Sequence, residues 1–212
     1  MPTPQRVRDV MTGQVITVSR QTPFKDLAAL LSSRHISAVP VLDNRGQVIG
    51  VVSEADLLPK EAFRGHQPSR REQLVHLEEM EKAGGTVAGD VMTSPAVVVG
   101  PDATLSEAAR LMARHRVRRL PVTDAQGRAL GIVSRSDLLK VFLVPDEELA
   151  ATVVDELARG LPGGDTARLA VSVVDGVVTI GGVLHDTSRV PTVAQIARSV
   201  EGVVDIRFQL DT

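Results

Sequence analysis

Two short segments of the sequence place a hydroxyl and a carboxylate three residues apart, directly after a glycine and two apolar residues. They are Gly50-Val51-Val52-Ser53-Glu54-Ala55-Asp56 and Gly131-Ile132-Val133-Ser134-Arg135-Ser136-Asp137. A serine at a helix start offers its hydroxyl and free N–H groups to a phosphate, and an aspartate one turn later can accept both hydroxyls of a ribose. The same spacing is close to a capping box, in which both side chains satisfy the helix itself. Taken alone, the local pattern favours the cap.

Other kinds of chemistry find little support in the sequence. There is no cysteine, which excludes disulfides, thiolate metal sites and cysteine nucleophiles. The five histidines have no metal-ligand spacing, and neither Ser53 nor Ser134 has a histidine beside it in sequence to activate it. We therefore expect no catalytic residues, no metal site and no enzyme activity. The histidines are His35, His66, His76, His115 and His185.

The densest basic run, Arg114–Arg119, raises the question of nucleic acid. It follows a predicted helix, whose C-terminus favours cations, and no aromatic residue is interleaved for base stacking. The net charge of the chain is −2. The sequence thus favours a solvated or phosphate-facing cluster over a nucleic-acid surface.

An internal repeat contains both serine–aspartate segments. Asp9–Leu58 and Asp90–Leu139 align without a gap at an offset of 81 residues, with 17 of 50 positions identical. Within each copy we predict strands at Val15–Val18 or Ala96–Val99 and amphipathic helices at Phe24–Arg34 or Leu105–Arg114. In the first copy, the strands Ala38–Leu42 and Val48–Val52 flank a turn, and in both copies a final helix opens at the serine of the motif. The predicted unit is β-α-β-β-α.

Between the copies, residues 59–89 are rich in proline, glycine and charge. A polar helical stretch near Arg70–Lys82 carries Leu74, Leu77 and Met80 on one side, and Gly84–Gly85 ends it. We interpret this stretch as a connector helix.

The doubled order of motifs resembles a pair of cystathionine-β-synthase-type (CBS) domains over residues 7–144. The resemblance implies an α/β (α+β) fold in which the two repeats pack about a pseudo-twofold axis. It also implies two clefts that accept adenosine-containing ligands, and a protein that forms homodimers. It favours nucleotide binding over the simple cap. The ligand would be AMP, ADP or ATP, or else NAD or S-adenosylmethionine.

The resemblance also implies which residues hold the ligand. The base would lie against Ile16 or Val97 and against the segment before a proline, Ile36-Ser37-Ala38-Val39-Pro40 or Val117-Arg118-Arg119-Leu120-Pro121. Taken singly, Ile16, Val97 and the prolines are equally typical of core and turn packing. The full set of predicted binding residues is Ile16, Ser37, Ala38, Pro40, Ser53, Asp56, Val97, Arg118, Arg119, Pro121, Ser134, Arg135 and Asp137.

The two clefts are predicted to be unequal. Arg135 stands at the helix start of the second motif where the first has Glu54, and Arg118 and Arg119 stand where the first copy has Ser37 and Ala38. Arginine binds phosphate, in the best geometry through two hydrogen bonds. We expect tighter binding of phosphorylated nucleotide at the cleft with Ser134 and Asp137, unless these arginines point to solvent or meet a phosphate from the opposite half.

From Pro145 the pattern changes to a predicted small α-β-β-α-β domain. A helix after Asp146, a hairpin at Asp175–Gly176, a helix at about Val190–Val200 and a strand at Val203–Leu210 resemble a BON domain over residues 145–212. The family is associated with phospholipid or partner binding, often in the periplasm, whereas this N-terminus has no apolar export signal. We therefore expect a cytoplasmic protein.

Charge bears on the partner of this domain. Residues 145–212 contain five arginines and eleven acidic residues, so anionic lipid should repel this part. A protein partner, or the more basic nucleotide module, is favoured over direct membrane binding.

The sequence predicts four segments: CBS domain 1 (7–60), a helical connector (61–86), CBS domain 2 (87–144) and a BON domain (145–212). The function hypothesis is a non-catalytic sensor that binds an adenine nucleotide and signals through the BON domain. The alternative is a constitutive scaffold or membrane-surface adaptor with vestigial clefts.

Overall fold

A computed structural model of the chain describes residues 5–65, 76–161, 169–184 and 186–210. The chain divides into two compact units, one formed by Arg6–Arg135 and the other mainly by Ser136–Thr212. His66, His185 and the predicted start of the connector helix, including Arg70 and Leu74, lie outside the described residues.

The first unit contains both β-hairpins of the repeats and the helices around them. Its elements are, in order, α1 (Val7–Val10), β1 (Thr12–Gly13), β2 (Val18–Ser19), α2 (Phe24–Arg34), β3 (Ala38–Leu42), β4 (Val48–Ser53), α3 (Glu54–Leu57), α4 (Pro59–Ala62), α5 (Leu77–Gly84), α6 (Ala88–Val91), α7 (Leu105–His115), β5 (Arg119–Thr123) and β6 (Ala129–Ser134). The mixed α/β architecture is the one that the sequence predicts.

Helix α2 confirms the helical periodicity of its segment. It buries Leu27 and Leu31 and ends where His35 adopts a left-handed φ of 51°. These leucines belong to the core of the first repeat, where valines of β2, β3 and β4 and two residues of α6 pack on them. The equivalent helix α7 buries Leu105, Ala108 and Met112. Each helix therefore covers the sheet of its own repeat.

The sheets show an exchange between the repeats. One has the order β2-β3-β4 and the other β1-β6-β5, so β1 of the first repeat pairs with β6 of the second. In return, Thr93 at the start of the second repeat bridges to Val51 in β4 of the first. Both repeats begin with Asp-Val-Met-Thr (the DVMT motif, residues 9–12 and 90–93). The threonine of each DVMT motif thus lies beside the glycine-containing strand of the other repeat.

This exchange explains why two strand predictions were wrong. Of Val15–Val18 only Val18 lies in a strand, β2, and of Ala96–Val99 only Val99 makes a bridge, to Val122. Residues 14–17 and 94–98 run from the sheet of one repeat to the sheet of the other. Because they cross between sheets, they have no continuous strand to pair with.

The connector ends in helix α5, which packs on the first repeat. Lys60 of α4 donates to the Ala83 carbonyl at 3.0 Å. Thr86 and Ala88, which follow the helix, bond to residues around the start of α2: the Phe24 N–H donates to the Thr86 carbonyl at 2.8 Å, and the Ala88 N–H donates to the Thr22 carbonyl at 2.8 Å. The C-terminal end of α5 is therefore held in place on both sides.

The second unit has the predicted α-β-β-α-β order after a short entry. Its three strands form one sheet in which β7 and β8 are antiparallel and β8 and β9 are parallel. The elements are α8 (Arg135–Leu139, beginning at the last residue of the first unit), a 3₁₀ turn (Lys140–Leu143), α9 (Asp146–Gly160), β7 (Leu169–Val174), β8 (Val177–Gly182), a 3₁₀ turn (Thr187–Arg189), α10 (Val190–Arg198) and β9 (Asp205–Leu210).

The predicted hairpin of this unit is confirmed, and its last strand begins later than predicted. Asp175 and Gly176 both have positive φ, 52° and 72°, as a two-residue hairpin of this kind requires. The last strand begins at Asp205 and not at Val203, because Val203 N–H still bonds the Val200 carbonyl at the helix exit. No helix of the described residues is long and apolar enough to cross a membrane.

Candidate functional site

The segment before Pro40, which is predicted to contact the base, and the serine–aspartate segment of the first repeat lie side by side. Ala38 and Ser53 are register partners in the β3–β4 hairpin, and the Glu54 N–H donates to the Ser37 carbonyl at 3.1 Å. Ala38 and Pro40 are buried, whereas Ser37 and Ser53 are half-buried. Local hairpin pairing therefore brings together four of the predicted residues.

Asp56 and Ser53 form the capping box that the sequence allows. One carboxylate oxygen of Asp56, Oδ2, accepts the Ser53 N–H at 2.8 Å and the Ser53 hydroxyl at 2.5 Å. The cap fixes the carboxylate at the start of α3. It leaves Oδ1 as the oxygen directed away from its own helix.

Oδ1 of Asp56 meets two residues that the sequence analysis did not select. Lys82 Nζ of α5 lies 2.7 Å away and Thr93 Oγ1 3.0 Å away, and Lys82 Nζ also donates to Thr93 Oγ1 at 3.0 Å. The Lys82 and Asp56 side chains are only 12% and 11% exposed. Nothing local signals Lys82, because it is 26 residues from Asp56 in the chain; the repeated DVMT motif does single out Thr93.

The second repeat reproduces the hairpin geometry. Arg119 and Ser134 are register partners, and the Arg135 N–H donates to the Arg118 carbonyl at 3.0 Å. The side chain of Arg135 donates to the Val117 carbonyl at 3.1 Å, Arg118 is exposed, and Pro121 is buried. The backbones of Arg118 and Arg119 thus lie beside the second motif, as those of Ser37 and Ala38 lie beside the first.

The side chain of Arg119 takes a direction that the sequence does not predict. Its guanidinium donates to the hydroxyl of Ser37 in the first repeat. This cation, assigned by its sequence position to the second cleft, therefore contacts the segment that is predicted to hold the base in the first. A residue from each repeat meets at this point.

Ile16, Val97 and Asp137 lie in different surroundings. Ile16 is half-buried and packs on the core of the first repeat, and Val97 is half-buried in the crossing segment. Asp137, in the second unit, accepts from Lys140 Nζ at 2.8 Å, and the Lys140 side chain is 60% exposed. Lys140, which pairs with Asp137, is thus open to water, unlike Lys82, which pairs with Asp56.

The repeated aspartate of the DVMT motif has a structural role in both copies. Asp90 accepts the N–H groups of Thr86 and Val87 at 2.9 and 3.2 Å, and Asp9 accepts the Arg6 N–H at 2.7 Å. The backbone hydrogen bonds from Thr86 and Val87 hold the pKa of the Asp90 carboxyl below its ordinary value. These aspartates fix the entry to each repeat.

A cavity of about 790 Å³ lies elsewhere in the first unit. It is bordered by residues 19–21, the hairpin turn at residues 43–44 and residues 94–96, and none of the predicted site residues lines it. Within the described ranges, no three histidine or acidic side chains are grouped as metal ligands. The chemistry available at the motif is hydrogen bonding and charge.

Comparison with known proteins identifies both parts of the chain. A CBS domain model matches residues 7–61 and 88–144, and a BON domain model matches residues 145–212. The chain is 29% identical over 153 residues to a protein of Methanocaldococcus jannaschii, covering 65% of this chain and 90% of that one. It is 31% identical over 150 residues to the chloroplastic CBS domain-containing protein CBSX2 of Arabidopsis thaliana, covering 65% of this chain and 63% of CBSX2.

A solved structure shows the same fold for the first part. The crystal structure of CBSX2 in complex with AMP is similar with a TM-score of 0.57 and 34% sequence identity, over 65% of this chain and 96% of that chain.

Proposed function

This chain belongs to the CBS domain family, with a tandem pair followed by a BON domain, and from that membership we propose that it is a regulatory protein whose CBS pair binds an adenine nucleotide. The observation that carries the proposal is the convergence of Ser37, Ser53 and Asp56 with Thr93 of the opposite repeat. The AMP complex of the similar CBSX2 supports it.

In the proposed complex, the Asp56 carboxylate takes the ribose hydroxyls through Oδ1, while Ser53 holds the carboxylate in place through Oδ2. The base lies against the Ser37–Pro40 segment and one of the crossing segments, near Ile16 or Val97. Because the repeat places Ser134 and Asp137 at the positions equivalent to Ser53 and Asp56, we assign them to a second ligand. Pro121 follows the segment that would contact the base of that ligand. Arg118 and Arg135 stay assigned to that ligand, whereas Arg119 contacts Ser37.

The proposal includes no catalysis. The Ser53 hydroxyl donates to Asp56, and that carboxylate is also paired with Lys82, so both side chains are assigned to the helix cap and to ligand binding. AMP, ADP and ATP are the proposed ligands, with NAD and S-adenosylmethionine as alternatives, and each would act as an effector.

We propose that the BON domain passes the signal to a protein partner. Its excess of acidic residues over arginines, eleven against five, supports a partner other than an anionic membrane. We further propose the division at residues 7–60, 61–86, 87–144 and 145–212. A cytoplasmic location stays a prediction.

A homodimer is also proposed. Leu58, between α3 and α4, and Leu77, the first residue of α5, are 66% and 60% exposed, and such side chains favour association where they form one apolar patch. Light scattering should give about twice the 22.6 kDa of one chain at tens of micromolar; a monomer with and without nucleotide would contradict it.

Calorimetric titration of the full chain with AMP, ADP, ATP, NAD and S-adenosylmethionine tests the central proposal. Heat that saturates with at least one of them, and is reduced in Asp56→Ala or Asp137→Ala, is the expected result. The scaffold alternative draws support from the fact that four hydrogen bonds already occupy Asp56. No heat and no thermal shift with any ligand would favour that alternative.

A further inference from the structure

The carboxylate proposed to hold the ribose is already fully occupied by the chain. Oδ2 of Asp56 accepts two hydrogen bonds from Ser53, and Oδ1 accepts one each from Lys82 and Thr93. Two carboxylate oxygens offer about four acceptor positions. A ribose hydroxyl can therefore reach Oδ1 only by displacing Lys82 or Thr93.

Displacing Lys82 has a consequence for charge. Its side chain is 12% exposed, and a buried ammonium that loses its carboxylate partner is strongly unfavourable. A neutral nucleoside that takes Oδ1 would leave this cation with the exposed carboxylate of Glu78, 3.4 Å from Nζ, in place of the nearly buried Asp56, and a solvent-exposed partner compensates less. A ligand that carries a phosphate brings its own anion and can replace the carboxylate as the partner of the ammonium.

The position of Lys82 allows such an exchange of partners. Two hydrogen bonds hold the helix end that carries Lys82 against the first repeat. Lys60 Nζ donates to the Ala83 carbonyl, and the Phe24 N–H donates to the Thr86 carbonyl. The backbone of Lys82 therefore stays beside the cleft. Its flexible four-carbon stem can move the ammonium from one anion to another.

We propose that Lys82 is a specificity-determining residue of the first cleft and selects phosphorylated adenosine ligands over uncharged ones. The proposal rests on the adenine-nucleotide function proposed above and assigns to the connector helix a direct part in it. Lys82 acts by penalising ligands that take Asp56 without supplying an anion.

The test compares AMP with adenosine by calorimetry on the full chain carrying Asp137→Ala, which restricts binding to the first cleft. Lys82→Met removes the charge and keeps most of the side-chain length. Because the neutral side chain costs nothing to displace, adenosine should bind more tightly, and the ratio of AMP to adenosine affinity should fall about tenfold or more. Lys82→Arg keeps the charge and should preserve more of the ratio than Lys82→Met.

Lys25→Met is the control for the loss of one lysine. Lys25 is exposed on α2. The ratio of AMP to adenosine affinity in this variant should equal that of the parent. An unchanged ratio in Lys82→Met, or an equal fall in Lys25→Met, overturns the role of Lys82 while leaving nucleotide binding intact. Absence of binding by any of the adenosine ligands to the unsubstituted chain overturns the proposed function, and this inference with it.

Discussion

Thr93 at the start of the second repeat and Val51 in the first repeat exchange two backbone hydrogen bonds, of 2.9 and 3.1 Å. The pairing of Thr12 with Ile132 is its counterpart in the other direction. Each repeat therefore completes the other next to the serine motif, and the chain segment that contacts Asp56 comes from the opposite repeat.

The glycine that opens each motif leaves room for this contact, and a side chain is less easily accommodated at Gly131 than at Gly50. A Cβ at Gly131 would lie 2.7 Å from the Thr12 carbonyl oxygen, whereas at Gly50 the nearest atom is Met92 Sδ, in a flexible side chain, at 2.5 Å. We expect Gly131→Ala to destabilise the protein by about 1–3 kcal/mol and Gly50→Ala by less. Urea denaturation measures both, with Gly13→Ala as the control because its Cβ would meet nothing within 4 Å. Equal losses at Gly50 and Gly131 would contradict the prediction.

The Lys82–Asp56 pair should be energetically coupled. Asp56→Asn leaves the nearly buried Lys82 ammonium with the exposed Glu78 carboxylate, 3.4 Å away, in place of its buried anion. The single substitution should therefore cost more than the same change in a chain that also carries Lys82→Met. We expect a coupling free energy of about 1–3 kcal/mol from a double-mutant cycle in urea. Asp137→Asn with Lys140→Met is the parallel cycle. Since Lys140 is 60% exposed, its coupling should be about 1 kcal/mol or less, and the reverse order would disprove the argument.

The two clefts should bind AMP unequally. Arg118 and Arg135 lie beside the second motif, where the first has Ser37 and Glu54, so the second cleft offers more cations to a phosphate. We expect the second cleft to be tighter by about tenfold. Calorimetry of Asp137→Ala should show loss of the tight phase, and Asp56→Ala should retain it. If the tight phase survives Asp137→Ala and disappears in Asp56→Ala, the assignment is wrong.

Acid should weaken the entry to the second repeat. Backbone N–H groups stabilise the ionised Asp90 in the folded chain and lower its pKa from the ordinary 3.8. This contribution is fully present above that value and is lost as the pH falls through the lower pKa of the folded state. Melting midpoints measured by circular dichroism at a series of pH values should therefore fall less on acidification in Asp90→Asn than in the parent. Asp26→Asn, at an exposed position on α2, controls for the loss of one charge; an identical acid response of Asp90→Asn and the parent would count against the prediction.

Residues 1–144 should fold without the C-terminal domain, because the unit Arg6–Arg135 contains its own core. Circular dichroism of this fragment should show helix and strand signals and a cooperative thermal transition. An unfolded spectrum would refute the expectation.

Much of the local structure could be predicted because its signals lie within a few residues. Periodicity placed α2 and α7, and the pair Asp175–Gly176 placed the hairpin of the second unit, since both residues tolerate positive φ. The repeat predicted that Ser53 and Ser134 stand at equivalent helix starts. These features depend on residue type and spacing, which a sequence displays directly.

The composition of the site depended on contacts between distant residues. Lys82 reaches Asp56 because the end of α5 is fixed to the first repeat, and Arg119 reaches Ser37 because the two hairpins face each other within one unit. The strand predictions at residues 15–18 and 96–99 failed for the same reason, since pairing partners were exchanged between repeats. The sequence by itself determined the repeated motif and its capping chemistry. Tertiary structure alone decided which charges meet there, because no periodicity within one segment records what a remote segment brings to it.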